Sequence, residues 1–255
     1  MTPGDGLLVA ASGLAAGALN AAAGGGTLVA FPALLATGMT ARMANIVSTI
    51  GLVPGYAGGS VAYRRELAGQ GPRVRSLAVT SLIGGVGGAV VLLVTPASSF
   101  RAVVPYLILG SCLLLAAQPR LSRWVAGRQR GAEPGRSEVT LAVQAGVFVS
   151  AVYGSYFGAG LGVLLLGFLG ILLAEGMQRL NALKGLLSLL INAVSVIVFV
   201  VAGHVAWWYT LILGVTAWIG GAGGVAVARR LPPVVLRAAV IVLGVGVAVG
   251  LLVKG

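Results

Sequence analysis

The sequence predicts an all-α, polytopic membrane bundle of two inverted repeats, each a glycine-broken, re-entrant hairpin followed by three transmembrane helices. Composition gives the class: of 255 residues, 58% are hydrophobic and 9% charged, against about 25% charged in soluble domains, too few to cover a water-facing surface. Apolar runs of about 20 residues recur, which suits helices crossing a hydrocarbon core roughly 30 Å thick rather than the short alternating strands of a membrane barrel. Two runs are interrupted by glycine at the same relative place, 6–37 at Gly24-Gly25-Gly26 and 139–174 at Gly158-Ala159-Gly160. Unwound backbone at membrane depth survives only where protein or a water-filled cavity satisfies its polar groups, so paired breaks point to a transporter's binding site.

The first repeat, 1–118, consists of the broken segment 6–37 and helices 41–63, 74–95 and 100–118. Residues 119–138 contain Gly127, Gly131, Pro134 and Gly135, lack apolar periodicity and read as a basic cytoplasmic linker. The second repeat, 139–255, has the broken segment 139–174 and helices 178–203, 207–228 and 233–252. Residues repeat as well as hydropathy. Ile83-Gly84-Gly85-Val86-Gly87-Gly88 answers Ile219-Gly220-Gly221-Ala222-Gly223-Gly224, and at the same offset Asn45 answers Asn181. Small residues one turn apart, Gly84 with Gly88 and Gly220 with Gly224, let helix backbones approach closely in lipid and are read as packing.

The formal charge of +12, from 17 basic and 5 acidic residues, invites a nucleic-acid partner, and the positions of the charges exclude one. Arginines crowd the connections, at Arg64, Arg65, Arg73 and Arg75, at Arg120, Arg123, Arg128, Arg130 and Arg136, and at Arg229 and Arg230, as in cytoplasmic loops. The glycine motif of the first half follows Arg73 and Arg75, whereas that of the second precedes Arg229 and Arg230. Like helices thus approach the basic side from opposite ends, which inverts the halves and requires each broken segment to return to its own side. Arg42, Arg101 and Lys254 then lie outside, in a multi-pass protein of the inner membrane. The first 23 residues end in Ala21-Ala22-Ala23 but place Asp5, not a basic residue, before the apolar part. That segment is expected to be retained. One cysteine, Cys112, allows no internal disulfide and no cysteine metal cluster. No cofactor and no metal are expected.

Broken helices offer free N–H groups and positive half-helix ends, so two facing tips near the midplane would hold an anion. Gly24, Gly25, Gly26 and Thr27 form one tip and Gly158 with Gly160 the other; the alternative is glycine serving tight turns alone. Lys184 is the one cation well within a predicted crossing, about 9 Å beyond the helix start. It attracts an anion or snorkels to the cytoplasmic interface. Asn181, Lys184, Ser188 and Asn192 share one face of their helix, matched by Asn45, Ser48 and Thr49 in the first half. Such a stripe lines a pathway or bonds helix to helix. Asn20 sits in the first hairpin arm, Tyr153 and Tyr156 in the second. His204 beside Trp207 and Trp208 reads as an interfacial belt. Asp5, Glu66, Glu133, Glu138 and Glu175 all fall outside or at the edges of the crossings, so no buried acid is expected to carry protons.

Gly13-Leu14-Ala15-Ala16-Gly17 leading to Gly24-Gly25-Gly26-Thr27, then Phe31-Pro32-Ala33-Leu34-Leu35, Gly38 and Ala44-Asn45, resembles the opening repeat of the sulfite exporter TauE/SafE family. Asn181-Ala182-Leu183-Lys184-Gly185-Leu186-Leu187-Ser188 to Asn192, followed by Trp207-Trp208 and Gly220-Gly221, resembles its second repeat. Phe157-Gly158-Ala159-Gly160 departs from the more usual Gly-rich second motif. The resemblance implies a transporter exporting a small anionic sulfur compound, sulfite or an organosulfonate such as sulfoacetate. Two other functions fit the residues: an anion channel of the same architecture, and a membrane-embedded hydrolase using Ser155 with His204 as base. The bilayer is the expected environment, and the oligomeric state is open between monomer and homodimer.

Overall fold

Within lipid every backbone N–H and C=O must be satisfied internally, and the helix is the local solution. The computed structural model describes residues 2–22, 25–128, 139–173, 175–203, 205–228 and 233–254. Among them are ten helices and no strand: α1 (Pro3–Ala22), α2 (Thr27–Ala36), α3 (Ala41–Ala62), α4 (Gly71–Val94), α5 (Ala97–Arg128), α6 (Leu141–Tyr156), α7 (Leu161–Leu172), α8 (Met177–Val201), α9 (Trp207–Ala228) and α10 (Pro233–Lys254). By length and composition, Gly71–Val94, Ala97–Gly127 and Met177–Val201 can cross a bilayer. The short helices α2 and α7 have 10 and 12 residues, about half a hydrocarbon core at 1.5 Å per residue.

Polarity is distributed for lipid. Val79, Ile83, Leu113, Trp218 and Val242 are exposed on the outside, whereas Asn45, Ser48, Ser81, Ser150 and Ser195 are wholly buried. An apolar exterior this extensive is stable against acyl chains, not water, and the chain is a membrane protein. Three of these buried hydroxyls return their protons to the preceding turn: Ser48 to the Asn45 carbonyl, Ser150 to that of Gly146 and Ser195 to that of Ile191.

The expected glycine packing is present at Gly84, Gly88 and Gly220, while the surroundings of Gly224 lie outside what is described. A methyl group at Gly88 would fall on the Val152 carbonyl, and one at Gly84 would stand 3.0 Å from that of Phe148, so α4 and α6 touch backbone to backbone. Gly17 meets the Ala217 carbonyl and Gly220 that of Leu14 in the same manner between α1 and α9. Other contacts come in matching pairs too: α9 packs on α3 as α4 packs on α8, and α10 packs on α2 as α5 packs on α7.

Helices α6 and α7 fold back on one another, Gly154 against Leu161 near the turn and Gly146 against Phe168 further away. Both ends of this hairpin reach one end of α4. Gln144 donates from its Nε2 to the Ser76 hydroxyl at 3.2 Å, and Glu175 takes Arg73 at 2.9 Å and Arg179 at 2.8 Å. In α1 and α2 the return is tight enough that Gly26 lies against the Ala16 carbonyl and the Asn20 amide.

Helix α5 continues to Arg128, ten residues past 118, where a basic linker was expected to begin. The linker of 119–138 is therefore helical in its first half, and 129–138 lie outside the described residues. The missed signal is Leu121 with Val125, one turn apart, which seat on Gly167 and Gly170 of α7. This tertiary contact keeps the helix going beyond Pro119, which lacks a backbone donor.

Gly88→Ala should lower stability by about 1–3 kcal/mol, the scale of overpacking a close contact. At Gly87 a methyl group meets nothing within 4 Å, so Gly87→Ala should leave the melting temperature of the purified protein unchanged or slightly raised. Equal melting temperatures for the two variants would refute backbone contact at Gly88.

Candidate functional site

Where the two helix breaks meet, the bundle encloses a cavity of about 330 Å³. Its walls come from both hairpins, at Asn20, Gly25, Gly158, Gly160 and Gly162, and from α8 at Asn181, Lys184 and Ser188. Helix α3 adds Tyr56, the turn after it Tyr63, and α5 adds Gln118 and Ser122. Gly25, Gly158 and Gly160 have φ of 106°, 80° and 82°, left-handed conformations that a Cβ would strain. Glycine here turns the backbone and leaves it bare toward the cavity.

The carbonyls freed by the second break are met by side chains. Asn45 donates from its amide to the Tyr156 carbonyl at 2.9 Å. Tyr153 and Ser111 both donate to the Ala159 carbonyl, at 2.8 and 3.0 Å. At the first break Gly26 N–H donates to Asn20 Oδ1 at 2.8 Å. That bond fixes the amide and leaves Asn20 Nδ2 buried without a partner, on the wall of the cavity.

Lys184 Nζ donates to Asn181 Oδ1 at 3.2 Å. Among the described residues no carboxylate pairs with it, since both ion pairs found there belong to Glu175. The cavity therefore combines one ammonium, an unspent amide donor, several hydroxyls and the N-terminal ends of α2 and α7, whose dipoles favour negative charge. Among the described residues no carboxylate lines it. An arrangement of donors without acidic acceptors suits a small anion.

Of the residues expected at the site, Asn20, Gly25, Gly158, Gly160, Asn181, Lys184 and Ser188 come together at this cavity. Gly26, Thr27, Asn45 and Tyr153 stand behind the tips rather than on the wall. Thr27 lies next to the second tip, its hydroxyl 3.8 Å from where a Gly158 methyl would sit. Gly24 lies outside the described residues, as does His204. Asn192 turns its amide to the Ser188 carbonyl at 2.7 Å, so beyond Ser188 the stripe on α8 is bonded within its own helix. Tyr56, Tyr63, Gln118 and Ser122 were missed. The seven-residue spacing of Tyr56 and Tyr63, both within the expected helix 41–63, was a signal for one face; Ser122 was hidden by the unforeseen length of α5.

The cavity reaches toward the arginine-rich end: of its lining residues, Tyr63 adjoins Arg64, Ser122 lies between Arg120 and Arg123, and Met177 precedes Arg179. Two aromatic contacts lie beside the second break, where Tyr156 and Phe157 precede Gly158. Phe31 and Phe157 meet edge to face with centroids 5.5 Å apart, and Phe100 meets Tyr156 likewise at 5.5 Å.

The model of the family described as Sulfite exporter TauE/SafE matches residues 9–251. A Sinorhizobium protein named "Probable membrane transporter protein ORF9" is 24% identical over 240 residues, 93% of this chain and 88% of that protein. A Haemophilus influenzae "Probable membrane transporter protein" is 25% identical, with 76% and 74% covered. The Escherichia coli "Probable membrane transporter protein YfcA" is 24% identical, with 82% and 75% covered. No solved structure gives a significant match.

Access can be tested with cysteines and a membrane-impermeant maleimide. Ser122→Cys should label from the same face of sealed vesicles as Arg75→Cys and from the opposite face to Ser99→Cys, while Ser48→Cys, wholly buried, should label from neither. Labelling of Ser122→Cys from both faces would refute access from one side alone.

Proposed function

Because the chain belongs to the sulfite exporter TauE/SafE family, we propose that this membrane transporter exports a small sulfur-containing anion, sulfite or an organosulfonate such as sulfoacetate, through the cavity between its helix breaks. The observation that carries the reading is Lys184, an ammonium without a carboxylate partner among the described residues, facing a cavity at which both breaks meet. Asn20, Gly25, Gly158, Gly160, Asn181, Lys184 and Ser188 contact the anion in this reading. Gly26 and Thr27 shape the first tip, while Asn45 and Tyr153 hold the second.

The two halves act as inverted repeats in the inner membrane, each with a re-entrant hairpin. Supporting this, exchanging the halves leaves the main helix pairings unchanged, α1 on α9 becoming α6 on α4, and both ends of α6–α7 are bonded to the same end of α4. With the arginine-rich end cytoplasmic, the observed cavity is loaded from inside. An interior-negative potential favours exit by roughly 2.3 kcal/mol per charge per 100 mV. No catalytic step enters: the Ser155 hydroxyl is buried against that of Ser195 at 2.6 Å.

In proteoliposomes, sulfite and sulfoacetate flux should saturate with concentration. Lys184→Ala should reduce it about tenfold or more, the worth of a charge-assisted hydrogen bond, and Gly160→Val should abolish it. Undiminished flux in both variants would remove the cavity from the route. A ligand at a hundred times its Kd should stabilise the native state by about 2.7 kcal/mol; sulfite, thiosulfate, sulfate, taurine, sulfoacetate and carboxylates can be ranked by thermal shift. Stabilisation by carboxylates alone would redirect the substrate class.

A further inference from the structure

A second recess lies outside the bundle's interior, between α5 and α10. It measures about 350 Å³ and is lined by Ala116, Pro119, Arg120, Arg123, Arg237, Ala238 and Ile241. Arg123 donates from Nε to the Pro119 carbonyl of its own helix at 3.3 Å. Arg237 Nε is buried and has no hydrogen-bond partner. Among the described residues, none of the three arginines pairs with a carboxylate. Three guanidiniums held together from two helices repel one another, and an unanswered buried donor is costly. An anion resolves both.

Depth identifies the kind of anion. Along α5, Arg101 and Arg120 enclose an uncharged stretch, and 19 steps of helical rise span roughly 29 Å, the thickness of a hydrocarbon core. Along α10, Arg237 and Lys254 enclose another, about 26 Å long by the same rise. Arg120, Arg123 and Arg237 therefore sit at headgroup level on the arginine-rich side, with Ala116, Ala238 and Ile241 on the acyl side of them. A free inorganic anion uses only the guanidiniums; an anionic phospholipid uses the whole recess, phosphate on the arginines and acyl chain along the small apolar residues.

We propose that the recess between α5 and α10 is a binding site for an anionic glycerophospholipid, whose phosphate is held by Arg120, Arg123 and Arg237. The site is separate from the transport cavity and does not depend on it. Arg120 and Arg123 flank Ser122, a residue of the cavity wall, so a lipid seated there braces α5 beside the entrance.

The test uses the full-length protein in detergent, with phosphatidylglycerol, phosphatidylcholine or inorganic phosphate added, read by native mass spectrometry for bound lipid and by melting temperature. Phosphatidylglycerol should be retained and should raise the melting temperature more than phosphatidylcholine does. Each of Arg120→Gln, Arg123→Gln and Arg237→Gln should weaken retention about fivefold, the scale for a basic residue at an anionic leaflet. Arg75→Gln, on α4 at the same end, should not. Equal retention of both lipids, unchanged retention in the three variants, or full stabilisation by inorganic phosphate alone would overturn the proposal. Melting of each variant without lipid separates lost binding from lost folding.

Discussion

Everything in this molecule answers to the absence of water around its amides. Continuous helices meet that demand by themselves, and the two places where the helix stops demand something from elsewhere. At the second break the carbonyls of Tyr156 and Ala159 are taken by Asn45, Tyr153 and Ser111, each drawn from a different helix. Acceptors are thereby removed and donors are left. The electrostatic character of the cavity follows from this one-sided satisfaction before any charged residue is considered, and Lys184 adds to a field already positive.

The architecture that positions these side chains rests on small residues. Helix α4 presses its glycines on α6 because nothing beyond hydrogen projects at Gly84 and Gly88, and α1 lies as closely on α9 at Gly17 and Gly220. Lipid supplies no hydrophobic drive to bring helices together, so close backbone approach and dispersion carry the association. Each hairpin's first arm is clamped by a helix of the opposite half. The depth of each tip is set by a partner distant in sequence.

Much of this was legible beforehand because it is written in local chemistry. Glycine in an apolar run marks the breaks, and Gly25, Gly158 and Gly160 do adopt conformations that need it. The three-and-four spacing of Asn181, Lys184 and Ser188 put them on one face, and they share one wall. What escaped depended on contacts between distant segments. Asn45 was grouped with the wall by its repeat position but bonds the Tyr156 backbone instead, since a buried carbonyl next to a break has first claim on an amide. The continuation of α5 past Pro119 depends on Gly167 and Gly170, which no inspection of 119–128 alone could reveal.

The pairing of helices is symmetric, but the ionisable residues are not. At the offset that aligns Asn45 with Asn181, Lys184 stands opposite Ser48, a buried hydroxyl that donates to the Asn45 carbonyl at 2.9 Å. One position out of that register, Arg179 grips a carboxylate, whereas Arg42 reaches two backbone carbonyls, those of Leu93 and Thr95. If the repeats trade roles to expose the opposite face, the ammonium does not trade with them. Half-saturation then differs between the faces, while detailed balance leaves the final distribution to voltage and concentration alone.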